Sequence, residues 1–272
     1  MEKAIFYPFL MFIFAITMLG GWIPTFKLWS QDTFRLVISF CAGILLGAVF
    51  FHVLPEISTV LGSQLGYSVM FGFLLIFILE KFIMVHPCEE GECNYHKIGL
   101  AAYVGIGFHS ILDGIAIGAG TMMNLSYVII IAVTIHKFPA ALALSGLLVK
   151  GGEYSRKKIL LSMFIFSLAT PLGALVAIFV FQGLDDYIVA TALGISAGTF
   201  LFISIGDLLP TVYEEHEKGY KNLVALCLGT SVMIISHALI LFPFKENHEG
   251  LTFFPLSIND FQENKTLYSL YA

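Results

Sequence analysis

Phe108–Gly118 reads FHSILDGIAIG and Thr134–Ser145 reads TIHKFPAALALS. Both stretches have the apolar character of membrane spans, yet two imidazoles, a carboxylate and an ammonium sit near their middles. Ionisable groups at that depth are costly and belong on a polar interior where they serve a purpose. His109 and Asp113 are one helical turn apart and share a face that Ser110 borders. In the second stretch His136 and Lys137 stand beside Pro139, whose missing N–H leaves the Ile135 carbonyl without its usual helical partner. Two helices so equipped predict a cation site between them.

The rest of the chain supplies the solvent for such a site. Of 272 residues, 58% are hydrophobic and 12% charged, and the mean hydropathy of +0.88 lies far outside the range of a soluble domain. The composition predicts an all-α polytopic membrane protein. The net charge of −5 describes loops and tails, and no basic run interleaved with aromatics points to nucleic acid.

Apolar runs of about 20 residues, the length that crosses a bilayer, fall near 4–26, 35–56, 65–84, 98–122, 126–149, 159–182, 187–210 and 222–244. They predict eight transmembrane helices in a single domain over 1–272. The first run is too long for a signal peptide and no small-x-small cleavage site closes it before Trp22. Basic residues favour cytoplasmic loops. Lys27, Arg35, Lys81, Lys97, Lys150, Arg156, Lys157, Lys158, Lys218 and Lys221 all fall in odd-numbered loops, and the even-numbered loops carry none. Both termini, including a tail over 245–272, are therefore expected on the extracytoplasmic side.

The second span contains CAGILLGAVFFHVLPE (Cys41–Glu56) and the seventh SAGTFLFISIGDLLPT (Ser196–Thr211). Ala-Gly opens each, Leu-Pro closes each, and His52 and Asp207 take the same slot. By the charge pattern the two spans run in opposite directions, as an inverted-topology repeat of the kind found in many transporters requires.

Taken together, eight spans, a long loop after the third, His-x3-Asp-Gly in the fourth, His-x2-Pro in the fifth, TPLGA (Thr170–Ala174) in the sixth and DLLP (Asp207–Pro210) in the seventh resemble the ZIP metal-ion transporters. The resemblance implies uptake of a divalent cation, most often zinc, into the cytoplasm. It implies a 3+2+3 fold with spans 1–3 and 6–8 as inverted repeats around spans four and five, and commonly a homodimer. The metal-bearing helices are thought to move against a fixed wall.

Where many family members hold two adjacent metals, this chain departs from the pattern. Ser110 stands in the place of an Asn, and Lys137, Ala140 and Thr170 stand in the places of carboxylates. Lys137 puts a fixed ammonium about where a second cation would sit, and like charges repel in a low-dielectric site. A mononuclear site is expected, with Lys137 as counter-charge to Asp113 or Asp207.

His109, Asp113 and His136 are the expected ligands, since neutral imidazole with one carboxylate suits zinc and, with differences set by geometry, iron, manganese, cobalt and cadmium. Because imidazole must be deprotonated to bind, acid is expected to weaken the site. Asp207 is a further candidate ligand. His52, Glu56, Ser110 and Lys137 are expected along the path or at its gates, although the Pro following His52 and Asp207 could instead mark a helix end. His237 reads as a packing residue and Glu80 as interfacial. The loop over 85–97 carries His86, Cys88, Cys93 and His96 among acidic residues. Facing the cytoplasm, where thiols stay reduced, it is expected to capture metal rather than form a disulfide.

An enzyme is not expected. The string His136-Lys137-Phe138-Pro139-Ala140 has Lys in place of the general-base Glu of a zinc protease and lacks its second His. No cofactor is called for, the metal being cargo. The alternative is a metal-sensing, receptor-like protein that binds the ion and scarcely moves it.

Overall fold

The computed structural model describes residues 3–26, 29–83, 94–120, 126–152, 154–179, 185–213 and 219–246, and among these every regular element is helical. In order they are α1 (Lys3–Trp22), α2 (Gln31–Ala48), α3 (Leu54–Leu61), α4 (Leu65–Ile78), α5 (Asn94–Gly120), α6 (Ser126–Lys150), α7 (Arg156–Phe179), α8 (Asp186–Phe202), α9 (Leu209–Tyr213) and α10 (Gly219–Glu246). Ser30 opens α2 by accepting the Thr33 N–H at 3.2 Å, and Asp185 opens α8 by accepting that of Tyr187 at 3.2 Å, which satisfies donors that a helix start leaves free. The chain divides into a unit Met1–His237, which carries everything below, and a unit Ala238–Ala272, whose described part is the end of α10 to Glu246.

Six helical stretches are long and apolar enough to cross a bilayer: Phe6–Thr25, Gln31–Lys81, Val133–Lys150, Arg156–Phe179, Asp186–Val212 and Gly219–Leu239. Ala102–Gly118 within α5 is a shorter apolar helix. Gln31–Lys81 holds two of the expected spans. Its 51 residues would be roughly 75 Å long if straight, more than twice the hydrocarbon thickness. The break comes at Gly62, whose φ of +50° is open to glycine and strained for other residues. Beyond it α4 doubles back: Ile57 of α3 and Ser68 of α4 both meet Gly194 of α8, and Gln64, Gly72 and Phe77 meet Tyr187, Ile195 and Phe202 in ascending order.

Neither Pro55 nor Pro210 ends its helix. Each follows a π-turn, Val49–Val53 before α3 and Ile203–Leu208 before α9. The proline ring has no N–H for the carbonyl four residues back and crowds it. In both cases that carbonyl lies inside the wider turn, which makes room while the chain stays helical. His52 and Asp207 ride on these two turns.

Close packing is made by glycine, as expected where helices associate without water. A Cβ on Gly43 would land on the carbonyl oxygen of Leu226, and one on Gly229 on that of Phe40, so α2 and α10 run parallel in near-backbone contact. A Cβ on Gly198 would meet the Val69 carbonyl and one on Gly72 that of Ile195, so α8 and α4 do the same. α5 and α7 approach at Gly114 and Gly173, and α1 and α6 at Gly20 and Phe138. The outward faces are apolar, with Phe71, Leu74, Leu161, Ile165, Leu228 and Ile235 exposed.

This packing sets a first expectation. Gly198→Ala should destabilise the protein by about 1–3 kcal/mol, the usual cost of overpacking, because backbone rather than a flexible side chain blocks the new methyl. Thermal unfolding in detergent measures it, and an unchanged midpoint would mean that α4 and α8 separate freely.

Candidate metal centre

α5 and α6 bring the ionisable residues of the two decisive stretches to one point. His109, one turn before Asp113 on α5, sets its Nε2 3.0 Å from Asp113 Oδ2. His136 on α6 sets its Nε2 3.1 Å from the same oxygen and 3.4 Å from His109 Nε2. Pro139 lies inside α6 without breaking it. Among the described residues these three form the group of His, Cys, Asp and Glu side chains whose donor atoms converge within 4.8 Å. All are buried, at 1%, 3% and 3% exposure for His109, Asp113 and His136. Tetrahedral zinc with nitrogen and oxygen ligands places its donors about 3.3 Å apart, so the triangle has the size of one face of such a site.

Lys137 completes the arrangement. Its Nζ lies 2.8 Å from Asp113 Oδ2 and donates to Ser110 Oγ at 2.8 Å, at only 1% exposure. Of the two partners sequence offered it, Asp113 and Asp207, the structure pairs it with Asp113. The Ser110 carbonyl in turn accepts from Thr170 Oγ1 at 2.9 Å, which ties α7 to the same wall. Buried charge is tolerable when it is paired and hydrogen-bonded, and Asp113 with Lys137 meets that condition.

Two residues that sequence reading passed over orient the imidazoles. His109 Nδ1 hydrogen-bonds Ser196 Oγ on α8, and Phe200, one turn later, stacks on the His109 ring and presents its edge to His136 with ring centroids 5.8 Å apart. That bond holds the ring with Nε2 turned toward the centre, the kind of outer contact that orients a metal-binding imidazole. Ser196 opens the repeat motif at the place Cys41 takes in its other copy, and that alignment was the available signal.

Other expected residues lie apart. Asp207 is buried and does not join this group. Glu80, read as interfacial, is 8% exposed, because the π-turn Leu79–Ile83 and the tight α4–α8 contact turn it inward. His52 has Ser236 Oγ 3.3 Å from its Nε2 and packs edge-on to His237, with centroids 5.3 Å apart. Glu56 is exposed on α3. His86, Cys88 and Cys93 lie outside the described residues, and His96 falls near the start of α5, which is helical from Asn94, ahead of the expected loop end at 97.

A family model described as "ZIP Zinc transporter" matches residues 86–237, more than half of the chain and including the whole centre. Similar proteins include "Zinc transporter ZupT" of Streptococcus mutans, 29% identical over 254 residues that cover 83% of this chain and 93% of that one. "Zinc transporter ZIP1" of Danio rerio is 23% identical over 281 residues, covering 80% and 92%. "Zinc transporter 1" of Oryza sativa subsp. japonica is 23% identical over 286 residues, covering 83% and 80%. The match runs through the spans that carry His109, Asp113 and His136, and together with the apolar helices it identifies the chain as an integral, multi-pass membrane protein of the ZIP zinc transporter family, a family of transporters and not of enzymes.

Proposed function

We propose that the protein carries one divalent metal ion at a time, zinc foremost, across its membrane into the cytoplasm, and that the ion binds His109, Asp113 and His136. The observation that carries the reading is the triangle of three buried donors at 3.0, 3.1 and 3.4 Å. Imidazole with carboxylate favours zinc over harder cations. Lys137 keeps the centre mononuclear, because its ammonium bonds the same Asp113 oxygen and holds the place of a second cation.

Around this centre we infer eight spans in a 3+2+3 arrangement, with spans 1–3 and 6–8 as inverted repeats and both termini extracytoplasmic. Support comes from the packing. An inverted repeat exchanges the second span with the seventh and the third with the eighth, so it must carry the α2–α10 contact onto the α8–α4 contact. The aligned glycines Gly43 and Gly198 each meet a carbonyl, of Leu226 and Val69, and the interval from Leu226 to Gly229 equals that from Val69 to Gly72, the reciprocal glycines. The cytoplasmic loop with His86, Cys88, Cys93 and His96 then faces the side of release, where its thiolates and imidazoles compete for the departing ion.

Uptake of radioactive zinc into proteoliposomes, with zinc titration of the purified protein, tests this reading. Saturable uptake, competed by cadmium and cobalt more strongly than by magnesium, with one tight ion per chain at the centre, is the expected result. Two tight ions at the centre would overturn the role given to Lys137, and tight binding without flux would make the protein a receptor-like metal binder.

A further inference from the structure

Positive charge is concentrated where α7 begins. Arg156, Lys157 and Lys158 are its first three residues, and all are exposed. Along the chain Glu153 is the last acid before Asp185, and among the described residues no carboxylate pairs with the three cations. Like charges at successive positions repel one another, so an anion brought to them is favoured.

Helical periodicity decides where the two lysines stand. Lys157 lies one turn before Leu161 and two before Phe164, and Lys158 one turn before Leu161 and two before Ile165. Leu161, Phe164 and Ile165 are exposed, while Met163, Phe166 and Ser167 are buried, so the lysines cap the face that α7 turns to lipid. Helical side chains lean toward the N-terminus, and long lysine stems cover apolar surface while their ammoniums reach water. The charges therefore sit at the rim of an apolar strip, at headgroup height.

Arg156 is held at the same rim from the side of α1. The two helices run antiparallel, Gly21 against Met163 and Met18 against Ser167, which sets the end of α1 beside the start of α7. There the Arg156 guanidinium lies over the Phe26 ring, 5.1 Å from its centroid, and Phe26 packs on Trp22 with centroids 4.9 Å apart. Both aromatics are exposed, as suits residues at the boundary between acyl chains and headgroups. A guanidinium supported by an aromatic face keeps its N–H fork for a phosphate.

We propose that this rim binds an anionic phospholipid, its phosphate held by Arg156, Lys157 and Lys158 and its acyl chains lying along Leu161, Phe164 and Ile165. Charge complementarity selects the headgroup, and the unbroken passage from basic rim to apolar strip selects a lipid over a free anion. With the topology proposed above the leaflet is the cytoplasmic one, where anionic lipids attract basic residues near the membrane surface; the site itself does not depend on that orientation.

Native mass spectrometry of the full chain in detergent, with thermal unfolding alongside, tests the site. Phosphatidylglycerol should bind and raise the unfolding temperature more than phosphatidylcholine with the same acyl chains. Each basic residue at a membrane surface contributes roughly fivefold to binding, so Arg156→Gln/Lys157→Gln/Lys158→Gln should weaken phosphatidylglycerol by about 100-fold with zinc affinity unchanged. Lys157→Gln/Lys158→Gln, which leaves Arg156 on Phe26, should lose about 25-fold. Lys97→Gln/Lys218→Gln/Lys221→Gln, an equal loss of charge elsewhere, should bind as the parent does. No preference for phosphatidylglycerol in the parent, a preference that survives either α7 variant, or its equal loss in the control variant overturns the site. Glycerol phosphate that protects as well as the lipid would make it a site for a free anion and overturn the role of the apolar strip.

Discussion

His136→Ala and His109→Ala should each reduce saturable zinc uptake to the level of empty vesicles. The three donors lie so close that none can be spared: with either imidazole gone, two ligands remain where structural and catalytic zinc sites use at least three from protein. Loss of an outer-sphere partner alone typically costs about 10–100-fold in metal affinity, so loss of a ligand should cost at least the upper end of that range. Ser196→Ala, which removes only the hydroxyl on His109 Nδ1, provides the internal comparison and should fall within about 10–100-fold. Cys227→Ser, on the exposed face of α10, should transport as the parent does. Uptake equal to the parent in folded His109→Ala and His136→Ala protein would place the transport site elsewhere.

Much of this centre is legible before any coordinates, because its parts are local. His109 and Asp113 meet because one helical turn separates them, and His136 and Lys137 stand out because their neighbours are apolar. Membrane sequences make such residues conspicuous, since nothing in hydrocarbon excuses a charge. The partner of Lys137 was legible only as a choice between Asp113 and Asp207, since proximity across two helices has no periodicity to reveal it.

What stayed hidden depends on contacts between distant spans or on helix irregularities. Ser196 and Phe200 look like ordinary residues of a small-residue helix, and only the docking of α8 against α5 gives them a role. Glu80 is placed otherwise than sequence suggests because a position near a span end looks interfacial until a tight helix pair and a π-turn turn it inward. Gly62 shows the same limit in the backbone. Its left-handed φ divides a continuous apolar run that length alone had to split.

Lys137→Ala should destabilise the metal-free protein by about 3–5 kcal/mol, the cost of leaving one member of a buried ion pair uncompensated. Its ammonium supplies Asp113 with a charged partner at 2.8 Å, and the imidazoles of His109 and His136 lie 3.0 and 3.1 Å from the same oxygen. On the function proposed above, zinc takes the same site, so saturating zinc should raise the unfolding temperature of Lys137→Ala more than that of the parent. The double variant Lys137→Met/Asp113→Leu separates charge from packing. Replacing a whole buried pair by apolar groups of similar size is often neutral or stabilising, so the metal-free double variant should recover most of the lost stability and gain nothing from zinc. If Lys137→Ala instead matches the parent with and without zinc, Lys137 does not compensate Asp113, and its place as a stand-in for a second metal falls with that result.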